Sequence, residues 1–283
     1  MNITITGSEG FLGKLICKKL EILGHELVKI DFTHGDDVAN PQVFANSIDS
    51  ELYIHLAAKS YVPDSMIRPA DFYYTNVVGT LNVLEAARIN NARVIFFSSY
   101  IYGNPEYLPV NENHPFNPHN PYAQSKLIGE DLCRAYYRDF NVPVIIFRPF
   151  NIYGPGQNEK FLIPTILKQI NSGQVKLMDP NPKRDYIHCT DVVEAVVKAA
   201  EIKNFGFEII NLGTGVSISV KDIVEVFVKF SKTNFKVNFE NSVRKTEVND
   251  CYADVTKANE ILNWTPLKNF EEGISELLKI NNL

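Results

Sequence analysis

Tyr122 and Lys126 stand four residues apart in Pro121-Tyr122-Ala123-Gln124-Ser125-Lys126, at the start of a helix-forming run that reaches Phe140. Residues at that spacing share one helix face, a turn apart. An ammonium beside a phenol stabilises the phenolate and lowers a pKa that is otherwise about 10, which makes Tyr122 a candidate acid/base near neutral pH. Ser98-Ser99 closes the apolar run Val94-Ile95-Phe96-Phe97. From a strand end, the Ser98 hydroxyl can hydrogen-bond a substrate hydroxyl or carbonyl oxygen and hold it in place. Each residue also has a plainer reading. A tyrosine at a helix start is commonly packing, and serines after a strand commonly cap backbone groups. The rest of the chain decides between the two.

The first stretch, Ile3-Thr4-Ile5-Thr6-Gly7-Ser8-Glu9-Gly10-Phe11-Leu12-Gly13, is a short apolar strand running through three glycines into an amphipathic helix, Lys14 to Leu23. Glycines at 7, 10 and 13 permit a tight turn, close backbone approach to a ligand and close packing of helix on strand. The helix N-terminus then offers free N–H groups and partial positive charge to an anion, best a pyrophosphate. A second strand, Glu26–Ile30, ends in Asp31, eighteen residues past Gly13. That is close to the roughly 20-residue spacing of an acid that accepts hydrogen bonds from a dinucleotide's ribose hydroxyls. A carboxylate there repels a 2′-phosphate, so the reading is NAD, with NADP left open. A bound oxidised nicotinamide, itself cationic, would lower the Tyr122 pKa in the same sense as Lys126.

The elements between them alternate. A short helix around Pro41–Ser47 leads to a strand, Leu52–Leu56, and then to small residues in His55-Leu56-Ala57-Ala58-Lys59-Ser60. A long helix is expected over 70–90, with Val77, Leu81, Val83, Leu84 and Ala87 on a wide apolar face. Strands over 92–98 and Val142–Phe147 flank the helix over 122–140, and their continuous apolar character fits a parallel sheet covered on both faces. The pattern predicts an α/β fold, a doubly wound parallel Rossmann sheet. After Pro149 it changes to a turn-rich exit, helices near Ile163–Ser172 and Val192–Glu201, a strand Ile209–Leu212, an amphipathic helix Ile223–Phe230, a strand Phe235–Phe239 and a closing helical region. This predicts a smaller, discontinuous substrate domain over the carboxyl ends of the strands, where such sheets bind ligands. The division expected is 1–154 plus about 184–213 for the cofactor, and about 155–183 plus 214–283 for the substrate.

Composition narrows the class. The 283 residues suffice for one large or two modest domains, and 45% apolar content is ordinary for a globular chain. Net charge is −5 with no basic block, which argues against nucleic acid. No apolar run approaches the roughly 20 residues of a membrane span. The chain enters a strand at once, so no leader is expected. Cys17, Cys133, Cys189 and Cys251 are scattered, without metal-ligand spacing, as are the histidines, so no metal site is expected. Buried thiols in a reducing cytoplasm account for the cysteines.

Taken together, these motifs resemble the extended short-chain dehydrogenases/reductases of the nucleotide-sugar epimerase/dehydratase family, over essentially the whole chain. The resemblance rests on Gly7-x-x-Gly10-x-x-Gly13, His55-Leu56-Ala57-Ala58, Asn76-Val77-x-Gly79-Thr80, Ser98-Ser99-x-x-Tyr102-Gly103 and Tyr122-x-x-x-Lys126. It continues through Arg148-Pro149-x-Asn151-x-Tyr153-Gly154-Pro155, Arg184-Asp185-Tyr186-Ile187-His188, Asn211-Leu212-Gly213, Ala253-Asp254-x-x-Lys257 and Leu262-x-Trp264-x-Pro266. It implies that Tyr122 is the acid/base, that Lys126 binds the nicotinamide ribose and tunes Tyr122, and that Ser98 positions the reacting oxygen beside Ser99. It places Glu9, Phe11 and Leu12 with the glycines around the cofactor. Leu56, Ala57, Ala58, Lys59, Asn76 and Pro149 would line its channel, and Asp37-Val38 would touch the adenine. It implies that Arg184 and Arg244 grip a nucleoside diphosphate, for which forked, permanently charged guanidinium groups are suited. Asn151 and Lys160 would contact the substrate. It further implies a homodimer through the helices about 70–90 and 122–140.

Departures narrow the reaction. The family's 4,6-dehydratases carry Asp-Glu directly after the residue equivalent to Ser98, whereas this chain has Ser99-Tyr100. No acid is left to protonate a departing C6 hydroxyl. What remains is hydride transfer at C4 of a nucleoside-diphosphate sugar, by a 4-epimerase that recycles its NAD or by an NAD(P)H-dependent 4-ketoreductase. Asp31 tilts the reading to the epimerase. A non-catalytic NAD-binding regulator on the same fold is a third reading, and one that would have no need of Tyr122, Lys126 and Ser98.

Overall fold

The structure is a computed structural model that describes residues 1–240, 242 and 248–283. Its elements in chain order are β1 (Asn2–Thr6), α1 (Phe11–Ile22), β2 (Glu26–Ile30), β3 (Leu52–His55), α2 (Val62–Ile67), α3 (Pro69–Tyr73), α4 (Gly79–Ile89), β4 (Arg93–Phe97) and α5 (Pro121–Phe140). Then follow β5 (Val144–Pro149), β6 (Asn151–Tyr153), α6 (Leu162–Ile170), β7 (Gln174–Leu177), β8 (Lys183–His188), α7 (Cys189–Glu201) and β9 (Phe207–Leu212). The chain closes with β10 (Ser217–Ser219), α8 (Val220–Phe230), β11 (Lys236–Phe239), α9 (Thr256–Leu262) and α10 (Phe270–Ile280). No helix among the described residues is long and apolar enough to cross a membrane.

Six strands form one parallel sheet in the order β2-β1-β3-β4-β5-β9. Its inner strands are buried at nearly every position because both faces are covered. On one side Ile3, Ile5, Ile95 and Phe147 pack against α1 and α7 through Ile16, Leu20, Val192 and Val196. On the other, Tyr53, Val94, Phe96 and Ile146 pack against α4 and α5 through Val83, Leu84 and Cys133. The order in which the chain adds strands reverses between β1 and β3, and the crevice outside their carboxyl ends is where this sheet type holds ligands. Beyond it, β10-β8-β6 and the pair β11-β7 lie over a separate apolar cluster built from α6, α8 and α10, with Ile166, Phe227 and Leu277 fully or almost fully buried.

Two expectations are corrected. The helix over 70–90 is not continuous: α3 passes through a π-turn at Tyr74–Val78 before α4 begins. The turn's extra residue carries Asn76 inward, where its side chain bonds the Lys59 backbone and Ser125, and local hydrogen bonding of that kind outweighs regular helix. The strand over 142–147 instead spans Val144–Pro149, because Pro143, lacking an N–H, gives only its carbonyl, to Val94. In addition, the segment between β2 and β3 forms only two single 3-10 turns, Phe32–His34 and Pro41–Phe44, which leaves β2 as the sheet's edge and explains the chain's compact length.

His55 pins the crevice from below. Its Nδ1 lies 2.7 Å from Thr6 Oγ1 and its Nε2 3.1 Å from Thr80 Oγ1, joining β1, β3 and α4. Burial, with a smaller contribution from Lys126, pushes its pKa down from 6.5 to about 3. Above pH 6.5 both folded and unfolded chains hold a neutral imidazole and nothing is lost. Below it only the unfolded chain takes up the proton, so stability falls between pH 6.5 and 3, by about 2 kcal/mol at pH 5. Urea midpoints at pH 7 and 5 should show this loss in the wild type and a smaller one in His55→Asn; equal losses would exclude His55 as the cause.

Candidate active site

The site begins where β1 ends. Gly7 has φ +73°, and a Cβ there would stand 2.8 Å from the Ala57 nitrogen. At Gly13 a Cβ would run into the backbone of Gly7 and Ser8, so α1 packs its first turn directly on the loop. Gly10 caps α1 in an extended conformation with no side chain closing the helix end, which leaves the first N–H groups for an anion. The helix starts at Phe11, three residues earlier than the apolar periodicity suggests, because the glycine loop itself supplies its first turn. Leu12 turns back onto the core. Glu9, Gly10, Phe11 and Lys14 form one wall of a cleft of about 220 Å³, closed opposite by Pro155 and Gly156.

Asp31 sits at the loop's open side. Its Oδ2 accepts the Glu9 N–H at 3.0 Å, and its Oδ1 accepts from the Thr33 N–H at 2.9 Å and the Thr33 hydroxyl at 2.8 Å. Burial pushes the carboxyl up, but these donors outweigh it and hold it below the usual aspartate range, so it is ionised. A side-chain-free turn, a bare helix N-terminus and a fixed carboxylate fit the diphosphate and ribose of a dinucleotide. Asp37 accepts the Ala39 N–H in a local turn, and Val38 is buried under Gly79. The chain from Leu56 to Lys59 runs along the other side: Leu56 N donates to Thr6 O and Ala57 N to the Thr6 hydroxyl, which brings Ala58 and Lys59 over the crevice. Asn76 braces that chain from beneath, accepting from Lys59 N at 2.9 Å and donating to Lys59 O at 3.1 Å. Pro149 is buried at the end of β5, opposite Leu212.

Ser98, Ser99, Tyr122 and Lys126 meet at the end of β4. Asn120 caps α5 by accepting the Ala123 N–H at 2.8 Å, which sets Tyr122 in the first turn. The Tyr122 phenol faces the Ser99 side chain, which favours its ionised form. Ser98 is anchored through its N–H to Phe147 O at 2.8 Å, and its buried hydroxyl has no hydrogen-bond partner among the described residues. A buried hydroxyl left unpaired is costly and marks a place for a ligand oxygen. The Lys126 ammonium donates to Phe97 O at 2.7 Å and lies 5.0 Å from the centre of the Phe96 ring. Burial pushes Tyr122 up to about 12, Ser99 opposing it, and burial lowers Lys126 to about 8.

The expected substrate residues lie along β6, β8 and the loop before α6. Asn151 Nδ2 donates to Asp185 O at 3.2 Å, and its Oδ1 accepts from the Tyr100 hydroxyl at 3.2 Å. Arg184 reaches the carbonyls of Lys183 and Val248 and the Tyr100 hydroxyl. Lys160 pairs with Asp64 at 3.1 Å and lies over the Tyr61 ring. Arg244 lies outside the described residues. Two groups that stand in the motifs, but to which no role was given, build the site's frame. Asp185, fully buried, accepts from Thr214, Gly215 and Ala253 and so fixes the strand that carries Arg184. Arg148 forms a fork to Glu130 on α5 and donates to Tyr102 and Glu112 O. The available signal was a lone arginine after the apolar run Val144-Ile145-Ile146-Phe147.

Comparison with known proteins agrees with this geometry. The family model described as the NAD dependent epimerase/dehydratase family matches residues 3–213. A putative UDP-glucose 4-epimerase of Methanocaldococcus jannaschii is 33% identical over 99% of this chain and 99% of its own. Among solved structures, a UDP-glucose 4-epimerase from Brucella ovis in complex with NAD aligns with a TM-score of 0.90 at 28% identity, covering 97% of this chain and 96% of the other. A UDP-glucose 4-epimerase from Thermotoga maritima with UDP-glucose aligns with a TM-score of 0.92 at 25% identity, covering 100% of both.

Proposed function

This chain belongs to the NAD dependent epimerase/dehydratase family, and on that premise we propose that it is a 4-epimerase of UDP-sugars. The observation that carries the reading is the Ser98 hydroxyl, buried and unpaired, next to Ser99, which faces Tyr122. NAD, when bound, supplies the hydride acceptor and donor for C4 and a positive charge of its own. The glycine loop would hold its diphosphate and Asp31 its ribose, with Asp37, Val38, Leu56–Lys59, Asn76 and Pro149 around it. Tyr122 takes the proton from the C4 hydroxyl and returns it, Ser98 holds the same oxygen, and Lys126 holds the cofactor ribose. Arg184 and Arg244, with Lys160 and Asn151, hold the nucleoside diphosphate, so that the sugar ring is free to turn between the two half-reactions.

The domain division at about 155–183 plus 214–283 is part of this reading, supported by the separate apolar cluster of α6, α8 and α10. So is a homodimer through the helices about 70–90 and 122–140, supported by the exposed Tyr74, Ile89, Tyr137 and Phe140. Four free, buried thiols support a cytoplasmic setting. Arg184→Ala should weaken UDP-sugar binding at least tenfold and leave NAD affinity within about twofold, as loss of a charged hydrogen bond does; equal losses in titrations of both would remove Arg184 from the diphosphate. The reaction is tested with a panel of UDP-sugars and 4-keto sugars. Interconversion without net NADH consumption is expected, and stoichiometric consumption would make the protein a reductase instead.

A further inference from the structure

Three consecutive residues, Ser98, Ser99 and Tyr100, run from the acid/base to the substrate strands. Ser99 faces Tyr122, while the Tyr100 hydroxyl donates to Asn151 Oδ1 at 3.2 Å and accepts from Arg184. Behind it, the Tyr100 ring is stacked on Phe150 with centroids 5.3 Å apart and planes at 17°. Phe150 is itself buried. The phenol is therefore held at its tip and along its face, and it is only partly exposed. A sugar that reaches from Arg184 to Tyr122 must pass across this ring. We propose that Tyr100 is a specificity-determining residue: a fixed wall that admits hexoses with hydroxyl-sized ring substituents and refuses N-acetylhexosamines.

The inference rests on the epimerase reading and draws its strength from it. An epimerase presents both faces of C4 in turn, so rotation about the diphosphate brings each edge of the ring against the wall. An acetamido group at C2 therefore meets Tyr100 in one of the two orientations, whichever edge leads. A rigid wall turns that misfit into loss of turnover, by no less than the roughly 10–200-fold that a single extra methylene costs in a packed pocket.

The test compares kcat/KM for UDP-glucose and UDP-N-acetylglucosamine in the wild type, Tyr100→Ala, Tyr100→Leu and Tyr100→Phe. The wild type should prefer UDP-glucose by at least about tenfold. Tyr100→Ala should lower that ratio at least tenfold, with Tyr100→Leu intermediate, should the alanine variant fold poorly. Tyr100→Phe keeps the wall and should keep the ratio, while raising KM for UDP-glucose about tenfold as Asn151 and Arg184 lose their shared partner. NAD affinity should not move in any of them. An unselective wild type, or an unchanged ratio in both Tyr100→Ala and Tyr100→Leu, would overturn the wall while leaving the epimerase reading intact. A wild type inactive on every UDP-sugar would instead overturn the epimerase reading itself.

Discussion

Replacing Tyr122 by Phe should lower kcat by about 10²–10⁴-fold, the usual loss when a positioned proton carrier is removed. The substitution keeps the ring and removes only the hydroxyl that faces Ser99. KM for the UDP-sugar and the affinity for NAD should change by less than about threefold, because Arg184 and the glycine loop are untouched. Burial holds Tyr122 up at about 12 with Lys126 turned to the Phe97 carbonyl. The free protein should therefore keep this phenol protonated through neutral pH, read as an ultraviolet difference against Tyr122→Phe. With NAD present, the rate should rise with pH as the phenol deprotonates, the sign expected of a group acting as base. Turnover in Tyr122→Phe within tenfold of the wild type would remove Tyr122 from the chemistry.

The second large effect lies under the site. Arg148 is fully buried and forks to Glu130 at 2.9 and 2.5 Å, with Glu130 itself 1% exposed. Burial works against the guanidinium's charge, but Glu130 and Tyr102 outweigh it. Arg148 Nη1 also meets Tyr102, whose hydroxyl donates to Asn211 Oδ1 at 2.6 Å, so α5 is tied to β5, β9 and the loop after β4. Glu130→Ala leaves a buried, uncompensated cation and should cost about 3–5 kcal/mol, read as a shift in urea midpoint. Against the 5–15 kcal/mol that holds a typical fold, that is a large share. The apolar double variant Glu130→Leu/Arg148→Met should cost less than the single one, since no charge is then left unpaired. A double variant as damaged as the sum of both singles would show that shape, not charge, is what matters there.

What the sequence made legible is what local physics determines. Continuous apolar runs such as Val94–Phe97 gave buried parallel strands, and three glycines between a strand and a helix gave the cradle. The seating of Tyr122 followed from a helix-forming run that opens at Pro121-Tyr122. What stayed hidden was set by partners far away in the chain. The direction of Lys126 is fixed by a carbonyl 29 residues earlier, and the Tyr100–Asn151 bond spans 51. The π-turn at Asn76 answers to Lys59 and Ser125, neither of which a helical periodicity can register. Arg148 stood in a motif and Glu130 within a helix-forming run, with nothing in the sequence to pair them until the fold brought them together.

The most direct measurement follows one hydrogen. UDP-glucose carrying deuterium at C4 is incubated with the protein and NAD in ordinary water, and the 4-epimer is examined by NMR. The account requires that the epimer keep its deuterium at C4, with no net NADH formed, because the carbon–hydrogen bond broken on one face is remade on the other from the same atom. Deuterium lost to solvent, or a 4-keto product released with matching NADH, would contradict it.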